Sequence, residues 1–175
     1  FEVTNNPENP DDGTRKVPFT GELWIEQDDF REVPPPKYFR LSPGKEVRLR
    51  GAFLVTATDV VKDEAGNVVE VLCSYDPESR GGTAPDGRKV KSTMHWVSRP
   101  HAVDVAAALY ERLFTTEAPG AETGEPLDDL NHDSRELLES CKAEPALADV
   151  EPGQVVQFER IGYFAADPKR PSFFH

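Results

Sequence analysis

Two cysteines and one methionine in 175 residues leave too little sulfur for a disulfide framework or a thiolate zinc cluster, so Cys73 and Cys141 are read as packing residues and the chain as metal-free. No stretch approaches the roughly 20 apolar residues that a membrane span needs. Phe1 to Asp12 has neither a basic nor an apolar leader region, so nothing there directs secretion and the expected location is cytoplasmic. The short signatures of nucleotide, acyl and metal chemistry are absent: there is no GxxxxGK[ST], GxGxxG, GxSxG, HExxH or CxxC. Catalysis by this chain itself is therefore not expected, and no cofactor is assigned to it. The four histidines (95, 101, 132 and 175) are scattered, and His95 beside Trp96 reads as a half-buried structural residue. Asp28-Asp29 reads as a strand end or a helix cap, with no acid–base role. The first residue is Phe1 rather than Met and the last three are Phe173-Phe174-His175, the pattern expected of a piece of a larger protein.

What is present is charge, unevenly spread. The formal charge is −12, yet Lys37 to Arg50 holds Lys37, Arg40, Lys45, Arg48 and Arg50 against Glu46 alone. Arg80 to Lys91 is a second basic patch, with Arg80, Arg88, Lys89 and Lys91 against Asp86, in a mobile-looking Gly/Pro loop. Glu111 to Asp149 carries eleven acids and three cations and reads as a solvated acidic connector that faces away from nucleic acid. A protein this acidic is repelled by polyanions at long range, so a local basic strip flanked by aromatics suits the grip of one specific RNA better than general coating.

Strand signals outnumber helix signals. Val47, Leu49, Phe53 and Val55 alternate with polar residues, with a bulge expected near Gly51. Val60-Val61, the turn residues 63–67 and Val68 to Leu72 spell a hairpin with a glycine in its loop. Ser92 to Ser98 alternates again, setting Met94 and Trp96 opposite Thr93, His95 and Val97. Val155 to Phe164 reads as a further strand entered from Pro152-Gly153, with Phe158 and Phe164 as core anchors. Sixteen prolines interrupt the chain too often for a helical protein, so the expected fold is mainly all-β, with short strands closing into one barrel or two. Two segments are ambiguous: His101 to Phe114 is rich in helix formers at 106–109 and leans to helix, yet Val103, Val105, Ala107 and Leu109 also fit one face of a strand, and Asp133 to Cys141 fits a short helix with a cap at Asp133 or Ser134.

Unpaired bases are read by splaying them apart, stacking them on aromatic or guanidinium planes and bonding their Watson–Crick edges. Arg40, Arg48, Arg50, Gln157 and Arg160 have the forks and amide for this, with Tyr38 and Phe39 as stacking candidates. Arg48 and Arg50 are two apart on one strand, which puts both on one face opposite Val47 and Leu49.

Six runs, VPFTGELWIEQDDF (17–30), GKEVRLRGAF (44–53), DGRKVKSTMHWVS (86–98), LYERLF (109–114), AEPALADVEPG (143–153) and QFERIGYFAAD (157–167), together resemble the C-terminal anticodon-binding region of glutaminyl-tRNA synthetases. The resemblance is collinear and covers nearly the whole chain. It implies two antiparallel β-barrels with short helices: a proximal one from 1–20 with 101–175, lacking its final strands here, and a distal one from 21–100. It also implies that 101–114 is mainly extended. Under it, the partners are tRNA(Gln) and an N-terminal catalytic domain of the same polypeptide, with no membrane and no DNA. The parent would be a class I glutamine–tRNA ligase using ATP with Mg in that other domain, and this piece alone would be inactive. The anticodon set it implies is Lys37, Phe39, Arg40, Arg48, Arg50, Gln157 and Arg160. Gln157 and Arg160 fall on the middle-uracil pocket, and Lys37 and Phe39 stand where some bacterial members carry Gln and Lys. A glutamyl-type anticodon domain and a stand-alone RNA-binding barrel resembling ribosomal 5S-rRNA-binding proteins are the alternatives.

Overall fold

Alternation of apolar and polar residues governs most of the chain, and thirteen short strands result among the described residues. The computed structural model describes residues 1–6 and 8–175. In chain order the strands are β1 (Glu2–Thr4), β2 (Thr14–Lys16), β3 (Leu23–Trp24), β4 (Glu46–Leu49), β5 (Leu54–Lys62), β6 (Val68–Asp76), β7 (Thr93–Met94), β8 (Val97–Ser98), β9 (Val103–Tyr110), β10 (Arg135–Ala143), β11 (Val155–Phe158), β12 (Gly162–Asp167) and β13 (Arg170–Phe174). All helical segments are single 3-10 turns of three to five residues. The chain divides into two compact units, Phe1–His101 and Ala102–His175.

In the first unit a four-stranded sheet has the order β6-β5-β4-β7, beside two-stranded pairs β1-β2 and β3-β8. Val47, Leu49, Ala52, Val55, Ala57, Met94 and Trp96 form its core with Val17, Phe30 and Leu41. The second unit is one five-stranded sheet of order β10-β9-β13-β12-β11, whose core joins Val105, Ala107, Ala143, Val150, Phe164, Ala166 and Phe174.

The all-β class is as expected, but the sheets are not closed barrels. Each hydrogen-bonded order has two ends, and two of its pairings, β4 with β7 and β13 with β9, are parallel. Strands of two residues such as β7 and β8 are too short to carry a ladder around a closed barrel. The expected grouping of 1–20 with 101–175 is also not what the packing shows. Phe1, Val3 and Phe19 lie against the first unit's core, with Phe1 edge-on to Phe19, Phe53 and Trp96 at 5.7, 5.4 and 6.4 Å between centroids.

Both local helix expectations are overturned. Residues 103–110 and 135–143 form β9 and β10, paired antiparallel from Arg135↔Tyr110 to Ala143↔Val103. Burial of Val105, Ala107 and Ala108 against partners on both sides outweighs alanine's helix preference. The 92–98 strand is broken into β7 and β8, while Met94 and Trp96 are buried as the alternation requires. The single strand expected over 155–164 is instead the hairpin β11–β12. Cys73, expected in the packing, is exposed on β6, whereas Cys141 is half-buried and its thiol pKa is pushed up by burial.

Candidate nucleic-acid interface

The 37–50 segment carries cations of two kinds. Arg40 ion-pairs with Asp29, which is fully buried, and Leu41 N–H donates to the Asp29 carbonyl at 3.0 Å. Arg40 therefore neutralises a buried carboxylate and ties residues 26–31 to 38–41, which an uncompensated Asp29 could not do. Arg48 Nε donates to the Gly82 carbonyl and one of its terminal nitrogens to Thr93 Oγ1 at 3.3 Å. Gly82 has φ +82°, and a Cβ there would lie 2.9 Å from Arg48 Cδ, so the missing side chain admits the arginine stem. Arg50 is exposed, while Val47 and Leu49 are 0% and 3% exposed; the register read from period-two spacing holds.

Lys37 and Phe39 face solvent. Phe39 is 51% exposed, and two ammonium groups stand over its ring: Lys45 at 5.4 Å and Lys91 at 5.7 Å from the centroid. Lys45 also donates to the Tyr38 carbonyl at 2.6 Å. These residues line a concavity of about 240 Å³ together with Glu46, Lys89, Val90 and Ser92. The two basic segments seen in the sequence thus converge, because β4 pairs in parallel with β7 through Arg48↔Thr93 and Leu49↔Met94 and Arg48 N–H bonds the Ser92 carbonyl at 2.9 Å.

Arg88 is the fixture of that loop rather than part of its free charge. Its guanidinium reaches Glu46 at 2.8 and 2.9 Å, Asp76 at 2.6 Å and Asp86 at 2.9 Å. Hydrogen bonding to Arg88 holds the Asp76 and Asp86 carboxyls below the usual carboxylate range: its guanidinium does so first for Asp76, its backbone N–H first for Asp86. The three carboxylates raise Arg88 further still. Arg88, Glu46, Asp76 and Asp86 are thus fixed by one another, and Lys89 and Lys91 are the exposed cations the loop presents.

In the second unit Gln157 and Tyr163 are cross-strand partners in the β11–β12 ladder. Arg160 occupies the turn between them, closed by Ile161 N–H to the Phe158 carbonyl at 3.0 Å. Gln157 and Arg160 are three apart, which on an ideal strand sends them to opposite faces. The turn removes that constraint, since Arg160 has φ 68°. Lys37 sits in the equivalent place, third residue of a turn closed by Tyr38 N–H to the Pro35 carbonyl at 3.2 Å, with φ 65°. These two cations are the only non-glycine residues with left-handed backbone among the described residues. That position favours Gly or Asn, so each carries a conformational cost of about 1 kcal/mol.

Two models described as tRNA synthetases class I (E and Q), anti-codon binding domain, match residues 1–76 and 93–167. The chain belongs to that family. Proteins named glutamine–tRNA ligase match it almost end to end: one from Nitrobacter winogradskyi is 53% identical over 95% of this chain and 30% of its own length. One from Rhodopirellula baltica is 54% identical over 94% and 28%, and one from Vibrio cholerae 48% over 97% and 30%. The chain spans about 30% of the length of these ligases.

For an anticodon-binding domain, the sequence-derived set falls into three structural kinds. Arg40 and Arg48 are engaged in holding the fold, Lys37, Phe39 and Arg50 are exposed residues of the first unit, and Gln157 and Arg160 exposed residues of the second. Lys45, Lys89 and Lys91 were not in the set. Only their positive charge marked them in the sequence, and their meeting around Phe39 depends on a parallel strand pairing that no local pattern encodes. Among the described residues no group of three His, Cys, Asp or Glu side chains is placed to hold a metal, and no helix is long and apolar enough to cross a membrane.

Proposed function

We propose that this chain reads the anticodon of tRNA(Gln) as part of a cytoplasmic glutamine–tRNA ligase. The ATP- and Mg-dependent attachment of glutamine would then be carried out by another domain of the same polypeptide. The observation that carries the reading is that Lys45 and Lys91 stand over the exposed Phe39 ring, with Lys89 lining the same concavity, in a chain of net charge −12. Ammonium groups on flexible stems neutralise phosphates, and an exposed aromatic ring accepts an unpaired base between them. Lys37, Arg50, Gln157 and Arg160 are the remaining presented groups, and Gln157 suits a uracil edge because its amide both donates and accepts. Arg40 and Arg48 contribute by keeping these groups in place.

Steady-state charging by the full-length protein tests this, using tRNA transcripts altered at one anticodon position at a time. Gln157→Ala should cut discrimination at the middle base by about 1–3 kcal/mol, as for a good base-edge contact, whereas Lys89→Ala should weaken binding with little change in preference. Equal loss of charging across middle-base variants in wild type and Gln157→Ala would remove Gln157 from the reading. The family description covers glutamate as well as glutamine enzymes, so the same assay supplied with glutamate decides the amino acid.

A further inference from the structure

Tyr163 is 74% exposed, more than any other aromatic residue with a large exposed surface. Its neighbours on β12 explain why that is unusual. Phe164 and Ala166 point into the core, with Phe164 4.9 Å from Phe158 between centroids, and Val156 and Phe158 of β11 lie on the same side. By strict alternation, Tyr163 and its register partner Gln157 project from the opposite face, with Val155 beside Gln157. Among the described residues the Tyr163 ring has no aromatic or cationic partner and its hydroxyl no hydrogen bond. The Gln157 amide likewise bonds no other group. An exposed tyrosine gives the fold almost none of the free energy that burying its ring would yield.

We propose that Tyr163 is the stacking platform for the nucleobase whose edge Gln157 reads, which makes the β11–β12 hairpin a two-part base site: ring against face, amide against edge. The inference rests on the anticodon reading above and adds to it a residue and a division of labour. Directly opposed side chains in an antiparallel ladder have Cβ atoms about 5 Å apart, so a flat base laid on the tyrosine ring brings its polar edge within reach of the amide. Arg160, in the turn that joins the two strands, is placed at the end of the same hairpin, where a guanidinium can meet the phosphate of the stacked nucleotide.

The ligand is an unpaired base, and the two parts predict different losses. Stacking is tolerant of base identity, because every base has a π-face, while edge bonding is not. In the full-length protein, tRNA carrying 2-aminopurine at the middle anticodon position should show quenched fluorescence on binding. Tyr163→Ala should abolish that quench and weaken affinity about tenfold for all four middle bases alike, within the range for a lost base–aromatic stack. Tyr163→Phe should retain both the quench and the affinity. Gln157→Ala should keep the quench and flatten the preference among bases. If Gln157→Ala loses discrimination while Tyr163→Ala leaves quench and affinity unchanged, the stacking role is refuted and the anticodon reading stands. If neither variant changes either readout, both are refuted at this hairpin.

Discussion

The two units meet RNA chemistry with different equipment. The first holds fourteen cations against seventeen acids, a net of −3, and the second six against fifteen, a net of −9. The first unit gathers its positive charge into one concavity around Phe39, and the carboxylates nearest to it, Glu46, Asp76 and Asp86, are consumed by Arg88. The second presents a nearly neutral hairpin face of Val155, Gln157 and Tyr163. On the proposed reading, long-range attraction that falls with salt would belong to the first, and discrimination by shape and edge bonding to the second. Net charge of the whole chain hides this division.

The largest effect should come from removing the first unit's grip. The triple variant Lys45→Gln, Lys89→Ala, Lys91→Ala keeps a donor for the Tyr38 carbonyl while deleting the concavity's ammonium groups. At near-physiological salt, each single-strand phosphate neutralised is worth about 0.8 kcal/mol from counterion release, so tRNA affinity should fall about 50-fold. The slope of log affinity against log salt should flatten by about 2. A loss of affinity with an unchanged slope would mean that these lysines do not sit on phosphates, and the comparison would fail at its first term.

Next in size is a stability effect confined to the first unit. Arg40→Ala leaves Asp29 buried without its cation and should cost about 2 kcal/mol, below the usual figure for breaking a buried pair because the Arg40 side chain is 40% exposed. Chemical denaturation of the two units, followed by the Trp signal of the first and an amide probe in β9 of the second, would show it. A loss shared equally by both units would contradict the assignment of Arg40 to the first unit's framework.

Smaller, and of opposite sign for folding and function, is the relief of the two left-handed turns. Lys37→Gly and Arg160→Gly each place glycine where φ is positive and should weaken tRNA binding, and Lys37→Gly should in addition stabilise by about 0.5–1 kcal/mol. Lys37→Gly should reduce the salt dependence. Arg160→Gly should act through the hairpin and weaken binding with little change in middle-base selectivity. Reduced stability in either variant would show that the side chain supports the fold rather than the site.

Sequence pattern revealed what depends on near neighbours. The alternation at 47–50, the hairpin around Asp63, Gly66 and Asn67, and the core anchors Phe158 and Phe164 all follow from residues within a few positions of one another. What escaped depends on distant partners. Alanines 106–108 form a strand only because β10 and β13 flank it, and Asp29 finds Arg40 with no spacing rule to announce the pair. Arg160 hid a turn because the glycine or asparagine that marks such a position is missing. For the site, the resemblance named the contacts at 37–50 and 157–160 but could not separate guanidiniums that brace the fold from those presented to solvent. Nor could it bring residues 45, 89 and 91 to one concavity.

The smallest effect should be a difference in how the two units respond to acid. In the first, Arg88 holds the Asp76 and Asp86 carboxyls below their ordinary values. A carboxyl with a depressed folded pKa stabilises fully above its unfolded value, near 4, and that stabilisation is lost as pH falls through the folded pKa. The loop bearing Lys89 and Lys91 should therefore loosen as pH falls below about 4, seen as faster amide exchange at 88–92. In Arg88→Met the loop should be loose already at neutral pH and show no further acid step. Asp63 and Asp167 are internal controls: their carboxyls are lowered mainly by Asn67 and by the Lys169 backbone N–H, respectively, so their titrations should be the same in both proteins. If Arg88→Met leaves the exchange of 88–92 unchanged at every pH, the guanidinium does not hold the loop. The concavity of the first unit would then need some other support than the carboxylate cluster now ascribed to it.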